Sequence, residues 1–186
     1  KVSEKFGAEV PFLRPKNLAA DNSSDHGFLK HFFNNVNCNK VALMRPTSPL
    51  RNSKEIDRCI EYYYKNSLNN KCSGLRSLYP SNHSPYKMMR LNKDKICSGF
   101  FKDFMGEKLY TNLPNQTFPT SYTPNGYIDI VQKDTVMNSN SSFGDKIYGY
   151  ITEQIIDIDN QFDLDVVKNQ IKSKYDFLSV HLDKIL

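Results

Sequence analysis

The sequence predicts an α/β domain, and three observations carry that expectation. A short apolar run, KVALM, ends in a Pro-bracketed loop and leads into an amphipathic segment; two more strand-like runs follow, GYIDIVQ and KIYGYIT; and FDLDVVKNQIKSKY closes the chain as an amphipathic helix. Strand, loop and helix in that order are the repeating unit of a sheet covered by helices. Size and composition agree: 186 residues with 39% hydrophobic and 24% charged side chains suit one soluble domain over residues 1–186, which needs neither disulfides nor a structural metal.

Taken in order, KVSEKFGAEV reads as the end of a helix leading into a short strand, an internal starting point with something expected upstream. Asn22, Ser23, Ser24 and Asp25 offer capping groups before GFLKHFFNNV, whose apolar spacing predicts a helix over 25–35. Residues 40–44 predict a buried strand that opens into the loop of Pro46, Thr47, Ser48 and Pro49. Ser53 caps the next helix, KEIDRCIEYYYKN, with Ile56, Cys59, Ile60 and Tyr63 on one face, and residues 72–78 predict another strand. Between 80 and 124, Pro80, Pro85, Pro114, Pro119 and Pro124 break any regular helix. Within that stretch YKMMRL and KICSGFF have the pattern of paired strands, either in a projecting dimerisation or lid arm or in a surface loop.

Charge and cysteine usage narrow the function. A net charge of +5 from scattered Lys and Arg favours a small anionic ligand over nucleic acid, and no RNA-binding aromatic motif is present. No apolar run approaches the roughly 18 residues of a membrane span. Cys38, Cys59, Cys72 and Cys97 stand far apart, as reduced thiols of a cytoplasmic protein do. The histidines make no catalytic constellation, with His26 and His31 on one predicted helix, His83 in a loop and His181 near the C-terminus, and neither G-x-x-x-x-G-K-[ST] nor G-x-G-x-x-G occurs.

Two segments carry candidate chemistry. In IIDIDNQFDLD, Asp157 and Asp159 alternate with Ile, so an extended backbone puts both carboxylates on one face, as a Mg²⁺ site or a solvated capping turn; Asp163 and Asp165 fit the first turn of the following helix. MRPTSPLR follows a strand and precedes a helix, where ligands of open α/β sheets settle, and Arg45, Thr47, Ser48 and Arg51 offer donors to an anion unless the loop is only a rigid turn. Arg14 in LRPKNLAAD is a possible phosphate or base contact.

In register from about Gly7 to Ile171, the segments RPKNLAAD, LMRPTSPLR, HSPYK, QTFP, PNGYIDI and IDIDNQFDL resemble the acylneuraminate cytidylyltransferases, the CMP-sialic acid synthetases. The resemblance implies a Rossmann-like nucleotidyltransferase sheet with a projecting dimerisation arm at 80–124. It also implies a homodimeric, Mg²⁺-dependent enzyme that makes a CMP-sugar and pyrophosphate from CTP and an acidic nine-carbon 2-keto sugar. By motif, Asp157 and Asp159 match the paired aspartates that hold Mg²⁺, and Arg14 matches a nucleotide-contacting arginine. Arg45, where many relatives have Gln, Lys87, Gln116 and Asn125 match substrate-pocket positions, and Phe143 matches loosely an aromatic lent by the partner subunit. Asn115 stands in place of a sugar-binding Arg, and Asp129 stands where sialate enzymes often have an aromatic; Arg45 is expected to restore the charge that Asn115 lacks. Nothing in the sequence matches the family's basic, glycine-containing triphosphate loop, so a non-catalytic sugar-nucleotide-binding or dimerisation module is the alternative.

Overall fold

The computed structural model of the chain describes residues 2–67 and 72–174. A one-turn helix, α1 (Val2–Lys5), is followed by α2 (Asp25–Asn35), β1 (Lys40–Leu43), α3 (Ser53–Ser67) and β2 (Gly74–Pro80). The hairpin strands β3 (Met89–Leu91) and β4 (Cys97–Gly99) come next, then β5 (Tyr122–Gln132), α4 (Lys133–Asn138), β6 (Ile147–Ile151) and α5 (Gln161–Lys174). The strand expected after α1 is missing: residues 8–15 have no regular structure and Val10 is exposed, because no neighbouring strand accepts their backbone groups. His181 lies outside the described residues.

The central sheet runs β1-β5-β2-β6. β1 and β2 are each antiparallel to β5, and β6 is parallel to β2, so β1, β2 and β6 run one way and β5 the other. The crossover from β1 to β2 is α3, whose Cys59 and Tyr63 bury against Leu75, Ile128 and Ile130 on one face of the sheet. Leu29 and Phe33 of α2 pack with Val131 and Val136 on the other face. Both helices read as expected because apolar residues at helical spacing have a sheet face to cover. Ser24 caps α2 through a bond from the Gly27 N–H. α3 is capped by Asn52, not Ser53, since Asn52 Oδ1 accepts from the Lys54 N–H.

The segment at 80–124 does contain an antiparallel pair, β3 with β4, as its own two-stranded sheet. An aromatic cluster underlies it, with Tyr86 stacked on Phe118 at 5.2 Å and edge-on to Phe104 and Tyr110. Among the described residues no helix is long and apolar enough to cross a membrane.

A bulge in the middle of the sheet positions the site. Arg76 pairs with Asp129 and Leu78 with Pro124, so Ser77 alone faces residues 125–128. The extra residues need partners for their backbone groups, and side chains supply them. Ser77 Oγ accepts from the Ile128 N–H, Asn125 Oδ1 accepts from the Tyr127 N–H, and Arg51 donates to the carbonyls of Gly126 and Tyr127. Gly126 sits at φ +63°, a conformation that favours glycine. Bulges of this kind re-aim side chains beside active sites.

Candidate functional site

The bulge forms the floor of an open cleft of about 600 Å³, a volume in the range of small-molecule sites. Its lining includes Arg45 from the loop after β1, Arg76 from β2, Asn125 from β5, Asp157 from the segment leading into α5 and Asp163 from the first turn of α5. The loop and the aspartate segment are tied together: the Ile158 N–H donates to the Thr47 carbonyl at 2.8 Å, and the buried Ser48 Oγ donates to Asp157 Oδ1 at 3.1 Å. Asp157 Oδ2 receives no hydrogen bond from the described residues. Residues 152–159 form no strand, yet Asp157 and Asp159 are both exposed while Ile158 between them is half-buried, so the alternation survives without a ladder.

Asp163 belongs to the helix, as its position at the start of α5 predicts. Asp163 N–H donates to Asn160 Oδ1 and Asp163 Oδ2 accepts from the Asn160 N–H, a reciprocal cap that also takes the Asp159 N–H. Asn125 is buried and fully engaged, its amide donating to Thr152 Oγ1 and to the Glu153 carbonyl.

The arginines depart from expectation. Arg45 donates from Nη1 to Asp129 Oδ2 at 2.9 Å and from Nη2 to Asp25 Oδ2 at 2.6 Å. Burial alone would lower its pKa, but the bond and charge of Asp129, with Asp25 behind it, outweigh burial and leave it raised. Two carboxylates therefore already match the charge that was expected to replace the one absent at Asn115. Asp129, expected at the sugar pocket, is wholly buried beneath the cleft, where any contact with a bound sugar would require Arg45 to move. Arg51, expected to offer donors to an anion, gives its Nε and Nη2 to the carbonyls of Arg45, Gly126 and Tyr127 at 2.6–2.8 Å.

The remaining predicted residues lie elsewhere. Asn115 and Gln116 line a smaller hollow of about 380 Å³ at the base of the hairpin segment, beside Phe118. Lys87 is close to that ring but donates from Nζ to the Thr111 carbonyl at 2.7 Å. Arg14 is exposed, with its guanidinium 4.3 Å from the Phe28 ring centroid, and lines neither cavity. Phe143 packs within its own chain, against the cluster of α2 and α4. Arg76 escaped the sequence reading, although a lone charge within the apolar strand GLRSLYP was the signal that could have found it.

No protein-family model matches the sequence. The chain is nevertheless similar to an N-acylneuraminate cytidylyltransferase from Escherichia coli O18:K1:H7, at 30% identity over 168 residues, 89% of this chain and 38% of that protein. That likeness is the one the sequence motifs imply. A second relative, the post-translational flagellin modification protein B of Campylobacter coli, is 24% identical over 94% of this chain and 73% of its own length. Among solved structures, that of CMP:2-keto-3-deoxy-manno-octonic acid synthetase complexed with CTP superposes with a TM-score of 0.60 at 11% identity, over 92% of this chain and 75% of that one. The α/β sheet is thus that of a nucleotidyltransferase fold. The chain spans well under half the length of the E. coli cytidylyltransferase.

Proposed function

We propose that this chain is part of a cytidylyltransferase that condenses CTP with an acidic nine-carbon 2-keto sugar of the sialic acid type, giving a CMP-sugar and pyrophosphate. The observation that carries the reading is Asp157, which stands in the IDID motif shared with the cytidylyltransferases and lines the main cleft beside the PTSPLR loop. The anomeric hydroxyl of the sugar attacks the α-phosphate in line; a new O–P bond forms as the bond to pyrophosphate breaks.

The residues present fit Mg²⁺. Hard carboxylate oxygens suit that cation, which takes one or two of them together with water and phosphate oxygens, and Asp157 Oδ2 is free of protein hydrogen bonds. Asp157 and Asp159 would hold it. When bound, the ion neutralises charge on the triphosphate and orients the leaving group. Within the chain, Ser48 fixes the Asp157 carboxylate, while Arg51 holds the bulge carbonyls so that the cleft floor is formed before substrate arrives. Arg14 is assigned to the nucleotide; Asn115, Gln116 and Lys87 are assigned to the sugar through the arm at 80–124, which on this reading also joins two copies in a homodimer. A cytoplasmic location and no nucleic-acid or membrane partner complete the reading.

The test is pyrophosphate release from CTP by the complete gene product, measured against a panel of nonulosonic acids. Asp157→Asn and Asp159→Asn are each expected to lower turnover by orders of magnitude with the fold intact, because a neutral amide is a poor ligand for a hard cation. Near-normal turnover in both variants would remove the metal assignment. The same assay also addresses a second reading, a sugar-nucleotide-binding module without turnover. Binding of CMP-sugar without pyrophosphate release from any acid would select it.

A further inference from the structure

A 2-keto sugar acid in its cyclic form carries its carboxylate on the anomeric carbon, the atom that also bears the reacting hydroxyl. Whatever binds that carboxylate must therefore stand in the same cleft as the phosphate-activating groups. The cations that line the cleft are Arg45 and Arg76. Arg45 is matched by Asp25 and Asp129, and Arg51, whose Nε and Nη2 serve three carbonyls, is not among the residues lining the cleft. Arg76 is different. It donates no hydrogen bond among the described residues: its Nε is buried and unpartnered, 3.7 Å from Asp129 Oδ1, beyond bonding distance. Its guanidinium lies 4.5 Å from the Phe143 ring centroid, and its side chain is 32% exposed.

These facts describe a cation held in place by an aromatic face and the neighbouring Asp129, with donors to spare at the edge of a cleft. A guanidinium in that state is suited to a carboxylate, which takes two parallel charge-assisted hydrogen bonds from the planar fork. With Arg45 matched and Asp163 engaged as a helix cap, Arg76 and Asp157 remain as the two poles of the cleft, one positive and one negative. The positive pole fits a sugar carboxylate and the negative pole a cation. Position 115, where the resemblance implies an arginine, holds Asn115 in the other hollow.

We propose that Arg76 binds the carboxylate of the acidic sugar and so sets the preference of this cleft for sugar acids over neutral sugars; the proposal rests on the cytidylyltransferase reading. The test is calorimetric titration of the complete gene product and its Arg76→Gln and Arg76→Lys variants with N-acetylneuraminic acid and 2-keto-3-deoxynononic acid, each beside its C1 carboxamide. The wild type is expected to bind at least one acid more tightly than its amide. Arg76→Gln should weaken that acid by about 10- to 100-fold and leave the amide unchanged, with Arg76→Lys between the two. A purely structural role would weaken acid and amide alike. Equal losses, unchanged acid binding in Arg76→Gln, or a wild type that binds neither acid or does not distinguish acid from amide would overturn the proposal. Pyrophosphate release is read separately. Intact acid preference without CTP consumption would refute the synthetase reading and leave Arg76 in its role, whereas CTP consumption with acid binding indifferent to Arg76→Gln would do the reverse.

Discussion

Asp129 has no exposed surface, yet it faces two guanidiniums, one bonded at 2.9 Å and one at 3.7 Å. Removing a partner from a buried ion pair costs about 3–5 kcal/mol, since the remaining charge is stranded in a poor solvent. Arg45→Gln should fall near or below the lower end of that range, because Arg76 is close enough to shift toward the orphaned carboxylate. Combining it with Asp129→Asn should recover much of the loss, as no buried charge is then left unpaired. Urea denaturation of the single and double variants checks this. Additive losses in the double variant would show that the pair is not the reason Arg45 matters. The same pairing shows what the sequence leaves hidden at Arg45: its charge is legible, but Asp25 and Asp129, 20 and 84 positions away, are not legible as its partners.

At the level of elements, the sequence was informative wherever an apolar face and a cap coincide. The helix over 25–35 was expected at the bounds it has, and the crossover helix α3 was found, because burial against a sheet and a local hydrogen bond point the same way there. The bulge was not legible. It arises from a mismatch of one residue on β2 against four on β5, a long-range register that no local pattern encodes, and it decides where Asn125 and Arg76 stand. Asp163 was read from the sequence as part of a helix start, and its reciprocal bonds with Asn160 set it apart from Asp157, the carboxylate proposed to hold Mg²⁺ in the same cleft. Asp163→Ala should cost about 1 kcal/mol of stability, the usual value of a lost cap. Asp163→Asn keeps an acceptor oxygen and should leave the Mg²⁺ dependence of turnover unchanged. A shifted Mg²⁺ requirement in Asp163→Asn would make Asp163 a ligand as well.

The whole molecule is sensitive to alkaline pH through its core. Burial pushes the Cys59 thiol up from 9.0 to about 12 and the Tyr63 hydroxyl up from 10.0 to about 12, and both side chains lie between α3 and the sheet. The unfolded chain loses these protons first, so the stability tied to the neutral groups is fully present below pH 9 and is lost as pH rises from there toward 12. The urea midpoint should hold between pH 7 and 9 and then fall, and Cys59→Ala should flatten the first part of that fall. A midpoint that Cys59→Ala leaves equally steep above pH 9 would exclude the thiol as the cause.

At the scale of the whole molecule, the segment at 80–124 leads to a prediction about association. It has its own aromatic core, with Tyr110 and Phe118 buried beside Tyr86. The same segment leaves Leu91 66%, Ile96 64%, Phe100 55% and Met105 91% exposed within a short stretch of chain. Scattered exposed apolar residues need no explanation, but several within one short segment are the pattern expected of an interaction surface. A second copy of the chain is the occupant that the dimerisation arm of the resemblance implies, and a stable self-complementary contact needs about 800 Å² from each partner. Sedimentation of the complete gene product should give a dimer. The double substitution Leu91→Glu and Ile96→Glu places charges on the hairpin strand and its turn without touching the aromatic core, so it should give a monomer with an unchanged far-ultraviolet circular dichroism spectrum. A wild type that sediments as a monomer, or a doubly charged variant that remains dimeric, would show that copies do not join through this hairpin.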